Sequence, residues 1–351
     1  MLDLLLSDEP APPAGYALIR VSRRAMATTF EVALPYGTRN AVPAAEAALD
    51  LVDELEDQLT VYRDHSEVSR LNAAGSALVD PRLFDLLSCC AGWTRETEGA
   101  FDIATGALIK AWGFYRREGR IPNARELTNA MSRSGMGQVV LADGGRAVGD
   151  GVGPASRDFI RHVLPYDGPQ AVRFRAEGLE LNLGAVGKGY ALDRAAALLR
   201  REWGVRSALL HGGGSSVLAI GTPPGDRRGW PVRLRHPTRD RSLGTVYLDD
   251  RGLGTSAATF QFFEYNGRKY GHVLDPRTGR PAAGTASASA TAPSAAEADA
   301  MSTAAFVGGT ALADWLIRTQ PHLGAVVLAD GTESPQVFNL APDEYAPPDP
   351  A

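Results

Sequence analysis

Apolar residues recur three and four apart from Ala41 to Leu59, and Glu46, Asp50, Asp53, Glu54, Glu56 and Asp57 fall between them. That periodicity predicts an amphipathic helix with a solvated acidic face. Ahead of it, Arg20 to Leu34 reads as a strand entering from a loop. A second helix is predicted from Pro81 to Glu98, because Asp80-Pro81 supplies a start signal and Gly99 a stop. Asp102 to Trp112 reads as a loop running into a short helix, and Arg125 to Ser134 as another helix. Ala171 to Leu183 alternates like a hairpin. Gly189 to Trp203 is a patterned helix that delivers the chain to a strand at Ser207 to Leu210.

The later half repeats this style. Strands are predicted near Pro231 to Leu234 and Gly244 to Leu248, followed by a polar stretch to Gly284. A small-residue strand at Ala286 to Ala292, helices at Ser294 to Val307 and Ala311 to Arg318, and a strand at Gly324 to Leu328 complete the pattern. Helices and short strands mix without a regular βαβ repeat, so the expected class is α+β and not a Rossmann arrangement. One domain is expected over residues 16–340, with a flexible segment 1–15 before it and a disordered tail, 341–351, after it. A Gly/Ala/Pro-rich surface insertion is expected at about 141–169.

Composition narrows the classes. With 351 residues, 44% of them hydrophobic, the chain can bury a substantial core. Its net charge of −5, from 41 acidic and 36 basic residues, supplies no positive field for nucleic acid or an anionic membrane. The two cysteines, Cys89 and Cys90, are adjacent in a predicted helix and read as reduced core residues. No stretch reads as the ~20 apolar residues of a membrane span. The N-terminal run carries Asp3 and no basic region, so it does not read as a signal peptide, and a cytoplasmic protein is expected.

Five groups of residues carry candidate chemistry. In residues 181–199 (LNLGAVGKGYALDRAAALL), glycines surround Lys188 directly before a helix. Such a turn is either plain punctuation or a phosphate cradle, which needs close backbone approach, helix N-terminal amides and a cation. HGGGSSVLAIG, 211–221, is likewise turn or cradle. In SAAEADAMSTAAF, 294–306, Asp299 and Thr303 stand four apart on one helix face, two hard oxygen ligands suited to Mg²⁺ beside phosphate, or else exposed decoration. The alanines around them make the helix look buried, where an unpaired carboxylate is costly. His272, Asp275, Arg277 and Thr278 can supply a base and phosphate donors, although Asp275 to Gly279 also fits a hydrogen-bonded turn. Met26, Tyr62, Phe101 and Trp112 suit either stacking on a flat ring or core packing.

Several pieces, taken in order, resemble the ApbE family, the FAD:protein FMN transferases. They are MATTFEV (26–32), LTVYRDHSEVSRLN (59–72), GAFDIATGALIKAWGF (99–114), LNLGAVGKGYALDRA (181–195), GGGSSVLAIG (212–221), LGTSAA (253–258), GHVLDPRTGRP (271–281) and ADAMSTA (298–304). The resemblance implies an α+β body with FAD in a cleft. It implies FAD contacts at Met26, Tyr62, Ala100, Phe101, Asp102, Asn182, Lys188 and Val273, and Mg²⁺ held by Asp299, Thr303 and the Ala185 carbonyl. The implied reaction is Mg²⁺-dependent transfer of FMN from FAD to a Ser/Thr hydroxyl of an acceptor flavoprotein, with AMP released. His272 is the candidate base, with Asp275 as an alternative. An FAD pyrophosphatase and a non-catalytic flavin-binding protein are the rival readings. Two positions depart from the family pattern: Asn182 stands where an acidic residue is common, and Gly213-Gly214-Ser215-Ser216 replaces a GGN-like turn.

Overall fold

The computed structural model describes residues 16–143, 146–148, 170–257 and 262–348. Seven α-helices form within them: α1 (Ala41–Leu59), α2 (Glu67–Ala74), α3 (Pro81–Glu96), α4 (Gly106–Ala111), α5 (Ala124–Met131), α6 (Gly187–Trp203) and α7 (Ala295–Thr319). Helix α1 has the predicted bounds. Its periodicity buries Ala44, Ala48, Val52 and Leu55 and leaves Glu46, Asp50, Glu54 and Asp57 exposed. The acidic face is not wholly idle, since Arg23 bonds Asp50 and Asp53, and Glu56 accepts the Met26 amide at 2.8 Å. Helix α3 starts as the sequence implies, with Asp80 accepting the Arg82 amide at 2.8 Å and Pro81 in the first turn.

The chain falls into two compact units, one from the described parts of 1–56, 186–257 and 284–351, the other from those of 57–185 and 258–283. The first unit is built on an eight-stranded antiparallel sheet. Its spatial order is Leu18–Ala25, Thr28–Pro35, Ala208–Gly212, Ser216–Ile220, Gly252–Ala257, Thr285–Ala292, Gly324–Ala329, Gln336–Phe338. Side chains alternate across a strand. Val217, Ala219, Leu253, Val326 and Leu328 therefore join Trp230, Val232, Leu234, Val246 and Leu248 of a smaller antiparallel sheet in one apolar cluster. The intervening positions, Ser216, Gly254 and Ser256, meet α7. Register sets Ser216 opposite Gly254. Only glycine fits at 254, because a Cβ there would lie 2.4 Å from the Ala298 carbonyl oxygen and 2.5 Å from the Asp299 nitrogen.

The second unit carries a four-stranded antiparallel sheet ordered Ser76–Leu78, Gln170–Phe174, Val139–Asp143, Arg146–Val148. Two hairpins, Phe262–Tyr265 with Arg268–Gly271 and Leu274–Asp275 with Arg280–Pro281, belong to it. Leu108, Trp112, Phe114, Ala130 and Leu274 form its apolar cluster, and Trp112 Nε1 donates to the Gly279 carbonyl at 2.7 Å. Every strand pair among the described residues of both units is antiparallel, and the α+β class holds.

Several local expectations are corrected. Arg20 to Leu34 is not one strand but a hairpin, turning at Met26 and Ala27, both left-handed (φ 50° and 60°). Ala171 to Leu183 is no hairpin, because its strand pairs instead with Ser76–Leu78 and Val139–Asp143. The expected surface insertion begins as sheet, with Leu141–Asp143 paired to Arg146–Val148, while 144–145 and 149–169 lie outside the described residues, as do 1–15. The tail is ordered as far as 348. Tyr345–Ala346 pairs with Ser242–Leu248, and the Tyr345 hydroxyl donates to the Leu243 carbonyl at 2.6 Å. The two predicted C-terminal helices, by contrast, are present as the two helical segments of α7, which Gly309 separates with a non-helical backbone (φ 67°, ψ −162°). Contrary to expectation, α7 is long and apolar enough to cross a membrane by length and composition, but half of its most apolar window is buried within the protein. Cys89 and Cys90 are buried thiols outside any disulfide, and burial pushes the Cys90 thiol well above its ordinary range.

Candidate functional site

Helices α6 and α7 of the first unit cap one another. Val186, at the N-cap of α6, offers no side-chain bond, and the third-position amide, Gly189 N–H, is taken instead by Asp299 Oδ2 at 2.9 Å. In return Asp193 on α6 accepts the first two amides of α7, Ala295 N–H at 2.7 Å and Ala296 N–H at 2.9 Å. Ser294 accepts the next, from Glu297, at 3.1 Å. First-turn amides have no partner inside their own helix, so each carboxylate satisfies donors the other helix cannot. The close approach depends on Gly189, where a Cβ would lie 2.3 Å from the Ala295 carbonyl oxygen. The result leaves Lys188, half-buried, in the first turn of α6 beside the Gly187 and Lys188 amides, and its charge acts on Asp299.

Asp299 is 6% exposed, and burial pushes its carboxyl up to about 6 against the pull of Lys188, the Ser216 hydroxyl and the Gly189 amide. Ser216 Oγ lies 2.8 Å from both carboxylate oxygens and has one proton to share between them. Asp193 is pushed up to about 7, first by burial, with Asp299 and Glu297 adding to the rise and its two amide donors opposing it. Thr303 Oγ1 donates to the Asp299 carbonyl at 3.0 Å and lies 3.2 Å from the Ser256 hydroxyl.

These donors suit a hard divalent cation. A buried carboxylate whose ionised form burial disfavours, a second buried acid, Asp193, that it raises, and nearby hydroxyls favour positive charge, and all of these groups offer oxygen. No cluster of three His, Cys, Asp or Glu side chains stands at metal-holding spacing among the described residues. A cation here would therefore complete its shell with hydroxyl, carbonyl, water or phosphate oxygens.

The remaining sequence-predicted residues divide between the units. Met26 belongs to the first, half-buried in its left-handed turn. In the second, Asn182 donates its amide to the Ile103 carbonyl at 2.7 Å, which joins the 182–185 turn, Ala185 included, to the strip after Ala100, Phe101 and Asp102. Asn182 Oδ1 then accepts the Gly184 amide at 2.9 Å. Asp102 spends its two oxygens on backbone, Ala104 N–H at 2.7 Å and Met136 N–H at 2.8 Å, and burial holds its carboxyl above the ordinary range. Phe101 is wholly buried, with its ring 6.3 Å from that of Trp93. Phe101 and Trp112 are thus core, and of the four stacking candidates only Tyr62, 66% exposed, shows an open face.

The Asp275 to Gly279 segment takes its turn reading. Asp275 accepts from the Arg277 amide at 3.0 Å and from its Nε at 2.9 Å, and the Gly279 amide closes on the Asp275 carbonyl at 2.8 Å. His272 and Val273, both half-buried, lead into that turn. Arg277 Cγ comes within 3.5 Å of where a Gly99 Cβ would be, so the turn lies against the segment that leads to Ala100. The triple glycine is a hairpin turn, with Gly212 opposite Ser216.

Sequence reasoning missed Ser216 and Asp193. Ser216 sat in the departure from the GGN-like pattern, and Asp193 stands one helical turn after Gly189, on the same face. Those were the only local signals either residue gave.

Comparison with known proteins bears on this arrangement. The model of the ApbE family matches residues 26–327. An FAD:protein FMN transferase of Treponema pallidum (strain Nichols) is 34% identical over 305 residues, covering 82% of this chain and 78% of that protein. One from Salmonella typhimurium is 27% identical over 305 residues, covering 82% and 79%. Among solved structures, the ApbE protein of Thermotoga maritima superposes with a TM-score of 0.77 at 25% identity, over 92% of this chain and 97% of that one. The apo flavinyl transferase ApbE of Pseudomonas stutzeri, at 23% identity, shares the fold with a TM-score of 0.74 over 92% and 95%.

Proposed function

The chain belongs to the ApbE family, and from that membership we propose that it is an FAD:protein FMN transferase. The proposal extends to Mg²⁺ dependence, a Ser or Thr hydroxyl on an acceptor flavoprotein as the attacking group, and AMP as the leaving product. The observation that carries it is the buried Asp299 at the junction of two mutually capped helices, with Lys188 and Thr303 beside it.

In this reading the Gly187 and Lys188 amides and the Lys188 ammonium bind the substrate diphosphate. Asp299 and Thr303 supply anionic and hydroxyl oxygens for the cation. Mg²⁺, when bound, offsets phosphate charge and stabilises the charge that develops as the phosphoryl group is displaced. Ser216 and the Gly189 amide hold the Asp299 carboxylate in one orientation and favour its ionised form. Tyr62 offers its open ring face to the isoalloxazine. His272 is the group assigned to take the proton of the attacking hydroxyl, with Asp275 as the alternative.

The test is incubation with FAD, Mg²⁺ and an acceptor bearing a Ser/Thr-Gly-Ala-Ser/Thr-like segment, followed by mass spectrometry. Labelled acceptor with stoichiometric AMP supports transfer. AMP with free FMN and unlabelled acceptor indicates a pyrophosphatase, and intact FAD refutes catalysis.

A further inference from the structure

An exposed aromatic ring in a loop is a poor platform for a ligand unless something fixes it before the ligand arrives. Tyr62 lies in such a loop, outside any helix or strand. Its ring is nevertheless stacked on that of Tyr115, with centroids 5.1 Å apart and planes 25° from parallel. With one face covered and 66% of the residue still exposed, the opposite face is open.

Tyr115 is itself firmly held. It sits in the 3₁₀ turn Phe114–Arg116, whose Phe114 is buried in the apolar cluster of the second unit. Its hydroxyl donates to the carbonyl of Val61 at 2.8 Å, the residue before Tyr62. One side chain therefore fixes both the backbone that carries Tyr62 and the ring plane. Lys110 Nζ lies 5.1 Å from the Tyr115 ring centroid and is anchored 2.7 Å from Glu180 Oε1. Helix α4, which carries Lys110, is pinned where the Gly106 amide donates to the Glu180 carbonyl at 2.9 Å.

We propose that Tyr115 is a positioning residue for the flavin half of the substrate, holding Tyr62 so that its open face stacks on the isoalloxazine ring. The inference rests on the reading of Tyr62 as a flavin contact. A ring already ordered loses less conformational freedom on binding, so the effect belongs to affinity for the flavin and not to the nucleotide half. Aromatic pairing of this kind is worth roughly threefold to tenfold in a binding constant.

Calorimetric titration of the full-length protein with FAD and, separately, with AMP tests this. Tyr62→Ala is expected to weaken FAD and leave AMP unchanged. Tyr115→Leu, which removes the ring but keeps apolar bulk, is expected to weaken FAD roughly threefold to tenfold with AMP again unchanged. Because Tyr115 acts through Tyr62, the double variant should bind FAD no more weakly than Tyr62→Ala alone. Multiplied losses in the double variant, equal losses of FAD and AMP in Tyr115→Leu, or no FAD loss there while Tyr62→Ala shows one, overturn the proposal. An unchanged FAD affinity in Tyr62→Ala removes the flavin contact itself, a failure distinct from those three.

Discussion

Replacing Asp299 by Asn should stabilise the cation-free protein while abolishing its activity. The carboxyl is pushed from 3.8 to about 6, chiefly by burial. Two pKa units correspond to about 3 kcal/mol that the ionised form costs the fold. The sign follows from the direction of the shift. A folded-state value above the unfolded one gives stability that is fully present below about 4 and is lost as pH rises through about 6. Asn carries no charge to lose it with. Its carbonyl oxygen can accept the Gly189 amide, and its NH₂ can donate to Ser216 once that hydroxyl turns its proton away, so no buried polar atom need be orphaned. With chelator present, Asp299→Asn should match wild type near pH 4 and exceed it by up to about 3 kcal/mol at pH 8. For a unit of this size that is roughly 6–12 °C in melting temperature. Added Mg²⁺ should then stabilise wild type alone, since only a state that binds a ligand gains from it. Thermal unfolding across pH 4 to 8, paired with in-gel fluorescence of flavinylated acceptor, measures both halves. A variant less stable than wild type at pH 8 in chelator, or one that transfers FMN at the wild-type rate, refutes the reasoning.

Gly189→Ala should destabilise by about 1–3 kcal/mol and weaken the response to Mg²⁺, because its Cβ meets backbone at 2.3 Å; an unchanged melting curve would contradict the mutual capping. Gly92→Ala, inside α3 with nothing within 4 Å of the new Cβ, should instead gain up to about 1 kcal/mol, read from the same melts. Ser216→Ala removes a hydrogen bond that lowers the Asp299 carboxyl, so the acid limb of the transfer rate should move to higher pH by about one unit; a stationary limb would show that Asp299 does not set it. Thr303→Val keeps shape and loses an oxygen, and the Mg²⁺ concentration for half-maximal transfer should rise about tenfold with little change in unfolding.

What was legible in the sequence divides along the range of the forces involved. Helix α1 and the start of α3 could be read because their causes are local: apolar spacing in one, and Asp80-Pro81 as cap and first-turn proline in the other. Met26-Ala27 was misread because a two-residue turn of this hand usually announces itself with Asn-Gly, and neither residue carries that signal. The last strand was lost in a proline-rich, polar tail, where Tyr345 alone had the apolar surface and hydroxyl to hold it. The break inside α7 was legible, by contrast, because Gly308-Gly309 reads as a stop and Gly309 does leave the helical conformation.

The candidate site shows the same division, with a consequence for its chemistry. Asp299, Thr303 and Lys188 were visible as ligand types at helical or glycine-turn spacing, since that much is written within a few residues. The state of Asp299 is not. It depends on Ser216, 83 positions away, on the Gly189 amide, 110 away, and on burial under a strand that comes close only because residue 254 has no Cβ. Asp193, which holds the start of α7, reaches it across 102 positions. Sequence spacing thus picked out groups of the types that phosphate and a cation would require. Contacts between distant segments set how readily Asp299 ionises, and a carboxylate whose charged form burial disfavours is one whose charged form a nearby cation would favour.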